Sequence, residues 1–385
     1  MKTSISSYLS PSIPVEWTIQ KPSTEPCSHI FSVSYFHKST TKPEKVEVYW
    51  KGLCALIETI EKEYPDFRCR IYYDESVLEK IDILLKQFPN SLELYQYKIP
   101  YFYQADLHEH QGTIGTLLRF LPLLDDPLHV VSNCIVLDID NALRPYYRNF
   151  IYEMMKYSEP SVMYRSRFCY SLKSHIACVP NPYREIPIIA SFIYQKNASL
   201  SMRLLSEFLE GVFFLEQYPW LHQCQLKELY EYGIDEVYMN GMYLPELMER
   251  SEEWKIGAVV FNHMDMISSI KYFYSKGKEM DAVRRIWKWF GLDIDSFMKW
   301  NEEKKRWDQN PEMTQRWERK LQMISKEEME RWWREVVEKE KIGEEYRKCL
   351  WNQMEMNWKK INVFWLKKGD FGSLRRRKSV WYSFS

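Results

Sequence analysis

Apolar residues fall in short, regularly spaced runs along the first 260 positions. Residues 29–36 (HIFSVSYF) form an apolar run of strand length. Val46, Trp50, Leu53, Ile57 and Ile60 then repeat at helical spacing, which predicts a helix over 46–64. Residues 67–73 read as a second strand. Val77, Ile81, Leu84, Leu85 and Phe88 make a helical stripe within 76–88. A strand over 92–97, a helix over 115–124 and a strand over 133–137 follow. This repeated β-α-β-α pattern predicts an α/β fold, a mostly parallel sheet flanked by helices. Ligands in such sheets sit beyond the carboxyl ends of the strands, near a switch in strand order. The residues just after each strand are therefore the ones to inspect.

The pattern changes after about residue 260. Met329, Trp332, Trp333 and Val336 repeat at helical spacing behind Ser325-Lys326-Glu327-Glu328, a capping box in which Ser325 accepts from the amide of Glu328. Twelve of the 15 tryptophans lie from Trp254 onward. Residues 301–385 hold 21 basic and 15 acidic residues, a net of +6 that the preceding 300 residues offset. The expected division is an N-terminal extension (1–27), an α/β catalytic part (28–260), and a helical, Trp-rich C-terminal region with a basic tail (261–385). The stripe suits a core face or a partner-binding groove. The tail Arg375-Arg376-Arg377-Lys378 suits a solvated end or a phosphate or acidic-lipid contact.

Composition narrows the function. Lys plus Arg and Asp plus Glu both total 53, so no global basic field implies a nucleic-acid partner. No apolar run approaches the roughly 20 residues of a membrane helix. The polar start Met1-Lys2-Thr3-Ser4 lacks the apolar stretch of a signal peptide, so the cytoplasm is the expected compartment. The eight cysteines are dispersed with no C-x-x-C pair, which argues against a zinc ribbon or thioredoxin-type site. With only 12 glycines there is no G-x-G-x-x-G and no P-loop, which counts against dinucleotide dehydrogenases and P-loop ATPases.

Residues 135–140 (IVLDID) carry the most chemical information. Side chains alternate faces along a strand, so Asp138 and Asp140 project to the same side. Two hard carboxylates at a strand's carboxyl end suit Mg²⁺ or Mn²⁺, with coordination positions left for diphosphate oxygens. Asp293-Ile294-Asp295 repeats the tripeptide without a strand before it and reads as a helix start, where acidic residues offset the helix dipole.

Residues 112–123 (GTIGTLLRFLPL), followed by the Asp-x-Asp strand, resemble the core of glycosyltransferases with the A-type (GT-A) fold. Such nucleotide-sugar transferases place an Arg-[Phe/Tyr] on a helix before an apolar strand ending in Asp-x-Asp. The same run, with Tyr232-Gly233-Ile234-Asp235-Glu236, is similar to glycosyltransferase-like proteins of large DNA viruses. The resemblance spans about 28–250. It implies a hexosyltransferase-like enzyme that moves a sugar from a UDP- or GDP-sugar to a hydroxyl on a glycan or protein, in the host cytoplasm or a virion if the chain is viral.

The resemblance also implies roles. Asp140 would bind Mn²⁺ or Mg²⁺, with Asp138 on the ribose or the metal and His263 as a third ligand. Arg119 would reach the phosphates or the donor sugar. Asp235 or Glu236 would bind an acceptor hydroxyl or act as a base. Ser34 and Tyr35 at the first strand's end would face the nucleobase or ribose, and Asp74 at the second would contact the base or start the next helix. Tyr35 and Phe36 suit core aromatics equally well, Arg119 suits a surface salt bridge, and His108-Glu109-His110 reads as a polar loop. The chain departs from the family at Thr116, where an acid is common, and at 128–131, where Gly-Gly-x-Tyr often stands.

Two other functions fit parts of the pattern. Residues 135–143 also look like the first motif of haloacid-dehalogenase-type phosphatases, with Asp138 as the nucleophile. Ala142 replaces the usual Thr or Val there, and about 100 residues of α/β sequence precede the motif. A glycosyltransferase-derived fold used as a non-catalytic interaction protein is the other alternative.

Overall fold

A computed structural model of the chain describes residues 2–22, 27–38, 41, 43–100, 108–139, 161–166, 179, 186–213, 233–261, 280–302, 306–344, 347, 350, 361–366 and 380–381. The described strands are β1 (Lys2–Ser10), β2 (Ile13–Gln20), β3 (His29–Tyr35), β4 (Arg68–Tyr73), β5 (Leu92–Lys98), β6 (Asn133–Leu137), β7 (Ser161–Ser166), β8 (Ile188–Lys196), β9 (Lys255–Phe261), β10 (Met298–Asn301), β11 (Arg306–Gln309), β12 (Ile361–Leu366) and β13 (Val380–Trp381). Eleven form one sheet in the order β1-β2-β5-β4-β3-β6-β8-β7-β9-β12-β13, and β10 pairs with β11 apart from it.

The sheet is mixed. Only β3–β4, β3–β6, β4–β5 and β7–β9 pair in parallel among the described residues. The first three of these pairings make a contiguous block, β5-β4-β3-β6. Within it the chain runs from β3 outward to β4 and β5, then returns to lay β6 on the other side of β3. Strand order thus reverses between β3 and β6, the place beyond whose carboxyl ends open α/β sheets bind ligands. Antiparallel β8 lies beside β6, with Leu137 opposite Phe192.

Helices cover both faces of this block. On one face lie α1 (Pro43–Glu63) and α2 (Leu78–Gln87). Pro43 opens α1, where its missing N–H costs nothing. Leu53, Ile57 and Ile60 of α1 and Ile81 and Leu84 of α2 pack on Phe31, Val33, Ile135 and Leu137. On the other face lie α3 (His108–Leu118), α4 (Arg203–Phe213), α5 (Ile234–Tyr238) and α6 (Leu244–Glu249). Ile114, Leu117, Phe208, Val237 and Leu247 pack there on Ile30, Tyr72 and Val136. Alternate residues of β3 and β6 thus serve opposite cores, as the pleat requires.

Residues 2–20, expected as an extension, form a hairpin on β5. Ile13, Val15, Trp17 and Ile19 point inward at every second position. Beneath this hairpin lies a buried polar cluster. Arg70 (2% exposed) pairs with Glu93 (1%) at 2.8 Å and donates to the His129 carbonyl at 2.5 Å. The Tyr72 hydroxyl lies 3.1 Å from His129 Nδ1, and Trp17 packs edge-on against the His129 ring at 4.9 Å.

Beyond residue 280 come α7 (Met280–Lys288), α8 (Ile294–Phe297), α9 (Pro311–Met323) and α10 (Lys326–Glu335). Trp287, Trp317, Trp332 and Met329 share a core of their own here. Ser325 Oγ accepts from the Glu328 amide at 3.1 Å, and Asp293 caps α8 through the Asp295 amide at 3.1 Å, as their sequences predict. The C-terminal part is not helical throughout: β12 returns to the main sheet and pairs antiparallel with β9. No helix among the described residues is long and apolar enough to cross a membrane.

Candidate functional site

The helix predicted over 115–124 is shifted in the structure. It begins earlier, so His108-Glu109-His110 opens α3 rather than forming a loop, and it ends at Leu118. Pro122 explains the end: its ring excludes an α-helical continuation, and Leu121–Leu123 forms a tighter 3₁₀ turn. Arg119 therefore stands one residue past the helix. Its carbonyl accepts from Ser32 Oγ of β3 at 2.7 Å, which ties the turn to the sheet. One turn earlier, Gly115 lets α3 approach β3 and β5. A Cβ built there would lie 2.9 Å from Phe36 Cδ1 and Cε1, and closer still to the Tyr97 hydroxyl.

Arg119 is only 7% exposed, and its guanidinium is shared between two carboxylates. Nη1 lies 2.7 Å from Asp138 Oδ1, just past the end of β6. Nη2 lies 2.7 Å from Asp235 Oδ2 and 3.4 Å from the Ala190 carbonyl of β8. The Phe120 ring lies under the guanidinium at 5.0 Å. The carboxylates are less buried than the arginine, at 30% for Asp138 and 17% for Asp235. A half-exposed surface salt bridge would be worth little. Here the arginine is buried and its two carboxylates are partly so, in a triad of formal net charge −1 that solvent screens less than an exposed pair.

Asp235 reaches the triad because α5 is short and firmly held. Gly233 precedes it with a φ of 99°, which glycine adopts without a Cβ penalty. A π-helical turn, Met239–Tyr243, follows it. Within that turn Asn240 is fully buried. It accepts from the Ile188 amide at 2.8 Å and donates to the Ile188 and Glu236 carbonyls at 2.9 and 2.8 Å. Glu236 itself is buried beside Asp235.

The ends of β3 and β4 lie next in the sheet. Asp74 accepts from the Ser76 amide at 2.9 Å and from the Ser76 hydroxyl, which in turn accepts from the His37 amide at 2.9 Å. Ser34 Oγ, Tyr35 Oη and His37 Nε2 are buried with no hydrogen-bond partner among the described residues. Ser34 and Tyr35 are adjacent on β3 and project to opposite faces of the sheet, so these atoms do not share one site. Tyr35 itself is wholly buried on the α1 face, 5.4 Å from His37 and 6.5 Å from Trp50, so its ring is a core aromatic. Burial, reinforced by nearby Cys54 and Glu47, pushes its hydroxyl up to about 12. Burial pushes the His37 imidazole below its ordinary value, against the opposing pull of Asp74.

The structure thus gathers Arg119, Asp138 and Asp235 within direct contact and places Glu236 beside them. Ser34, Tyr35 and Asp74 lie at neighbouring strand ends. Asp140 and His263 lie outside the described residues. Among the described residues no group of three or more His, Cys, Asp or Glu side chains is arranged to hold a metal ion. Asp138 offers a hard, partly exposed oxygen donor of the kind Mg²⁺ and Mn²⁺ take, so its chemistry fits one position of such a set. Sequence reasoning missed His37, Gly115 as a close-packing position, and Asn240. Only Gly115 left a signal, as a glycine at the start of the helix expected over 115–124.

No protein-family model matches the chain, and no curated protein does. Among solved structures, the apo form of mouse xyloside xylosyltransferase 1 aligns with 59% of this chain and 84% of its own, at 12% identity and a TM-score of 0.32. A mutant protein described as a transferase aligns with 60% of this chain and 92% of its own, at 13% identity and a TM-score of 0.28. At these scores neither likeness carries an argument. The functional reading rests on the strand-order reversal and on the triad beside it.

Proposed function

We propose that the chain is a glycosyltransferase that takes a sugar from a nucleoside diphosphate donor and passes it to a hydroxyl acceptor. One observation carries the reading. An Asp at the end of β6 is paired at 2.7 Å with a buried Arg from the preceding helix turn, at the reversal between β3 and β6. That is where an open α/β sheet binds a ligand, and both charge types a diphosphate site needs are present.

Asp138 and Asp140 would hold Mn²⁺ or Mg²⁺, with His263 as a further ligand. The ion would neutralise charge that develops on the diphosphate as it leaves. Arg119, held between Asp138 and Asp235, would orient the donor's diphosphate. The unpaired Ser34 hydroxyl and the polar loop at Asp74 would meet the nucleoside. Glu236 would stand on the acceptor side, to hold the attacking hydroxyl or accept its proton.

The test is thermal unfolding of the full chain against UDP, GDP and their sugars, with and without Mn²⁺. A ligand at about 100 times its Kd adds about 2.7 kcal/mol of stability, a readable rise in Tm. The expected result is a Mn²⁺-dependent rise with one nucleotide that Asp138→Asn abolishes. No rise with any nucleotide contradicts the proposal.

A further inference from the structure

We infer that Asp235 is a positioning residue: it fixes the plane of the Arg119 guanidinium and so prevents Arg119 from closing two-pronged onto Asp138. This inference rests on the nucleotide-sugar reading and gives Asp235 a different task from that of a proton acceptor.

A guanidinium is a planar fork with parallel donors, and a single neighbouring carboxylate is commonly taken by both prongs. That does not happen here. Nη1 goes to Asp138 and Nη2 goes to Asp235, each at 2.7 Å. The two carboxylates come from different elements, the end of β6 and the start of α5, so together they set the orientation of the group between them. Each Asp235 oxygen already has a donor. Oδ2 accepts from Arg119, and Oδ1 accepts from the Glu236 amide at 2.9 Å. Asp235 is thus engaged through both oxygens, one on Arg119 and one on its own helix start.

The backbone beneath Asp235 is equally constrained. The Gly233 turn starts α5, the Val237 amide closes onto the Gly233 carbonyl at 3.0 Å, and Asn240 clamps the Glu236 carbonyl to the start of β8. A carboxylate on so rigid a mount suits the task of holding another side chain in place. Without its charge, the Arg119 fork would turn onto Asp138 and occupy both of its oxygens. Arg119 would then be withdrawn from a diphosphate.

A double-mutant cycle tests this on the full chain, with UDP and GDP as calorimetric probes in the presence of Mn²⁺. The four proteins are wild type, Asp235→Asn, Arg119→Lys and the double mutant. A lysine ammonium is a point charge with no plane to fix. Asp235→Asn is expected to weaken nucleotide binding about tenfold in the wild-type background, and less than about twofold beside Arg119→Lys. Asp235→Glu keeps the charge and is expected to restore part of the loss; Asp235→Ala replaces Asp235→Asn in the cycle if the latter does not fold. Equal weakening in both backgrounds, or no weakening in the wild type, overturns the positioning role while leaving the nucleotide reading intact. Failure of the wild type to bind either nucleotide overturns the nucleotide reading, and this inference with it.

Discussion

Gly115→Ala sets two opposing effects against each other, and the structure decides between them. Gly115 is inside α3, where alanine is intrinsically preferred over glycine by about 1 kcal/mol. On that ground alone the substitution stabilises. The new methyl, however, would sit 2.9 Å from two carbons of the Phe36 ring and closer to the Tyr97 hydroxyl. Tyr97 is 1% exposed, so its ring has no open space to enter. Overpacking of this kind costs about 1–3 kcal/mol, and two rings must move at once, which favours the upper part of that range. The expected net effect is a loss of about 1–2 kcal/mol, with α3 displaced from the end of β3 and Arg119 carried along. Urea unfolding measures the first consequence, and nucleotide affinity by calorimetry measures the second. A Gly115→Ala protein as stable as the wild type or more so would refute the reasoning, because helix propensity would then have outweighed the contact.

Three further outcomes follow from buried or capped groups. Burial, followed by the Arg70 and Lys21 charges, holds the His129 imidazole well below its ordinary value. The folded state therefore stays neutral where the unfolded state binds a proton. The resulting stability is complete above about pH 6.5 and shrinks as pH falls, by about 1.4 kcal/mol at one pH unit below. Urea midpoints at pH 7.5 and about 5.5 should show a smaller acid loss in His129→Phe than in the wild type, and equal losses would count against it. Glu93→Gln leaves the Arg70 guanidinium buried without its carboxylate and should cost about 3–5 kcal/mol, whereas replacing both partners with apolar residues should cost far less. Comparable losses in the two variants, read by urea unfolding, would contradict that account. Ser325→Ala removes the bond to the Glu328 amide and should cost about 1 kcal/mol, seen as faster amide exchange at the start of α10 with none at β3.

The legible parts of the fold were those with a strong period. Phe31 and Val33 in β3, Ile57 and Ile60 in α1 and the apolar 133–137 run report burial directly, because a fully buried strand or a helix stripe leaves little ambiguity. Mixed pairing was not legible, since a strand's direction depends on where its connection crosses rather than on its own residues. The N-terminal hairpin hid for another reason. Ile13, Val15, Trp17 and Ile19 alternate cleanly, but in the Ser-rich β1 beside them Ile5, Tyr8 and Leu9 do not. At the site, the motif residues Arg119, Asp138 and Asp235 were all nameable from sequence. Their mutual contact was not: Arg119 and Asp235 are 116 positions apart, and nothing local in either segment encodes the other. His37 and Asn240 act through backbone partners and orphaned atoms, which exist only once the sheet has formed.

The central claim is that the site at the β3–β6 reversal transfers sugars from nucleotide donors. The most direct measurement is release of nucleoside diphosphate when the full chain is incubated with a panel of UDP- and GDP-sugars, Mn²⁺ and a hydroxyl acceptor pool. The account predicts release from donors of one base, lost on Asp138→Asn and on Asp140→Ala. Intact donors throughout would contradict it, and inorganic phosphate released instead from phosphomonoesters, with Asp138 phosphorylated, would transfer the site to the phosphatase reading.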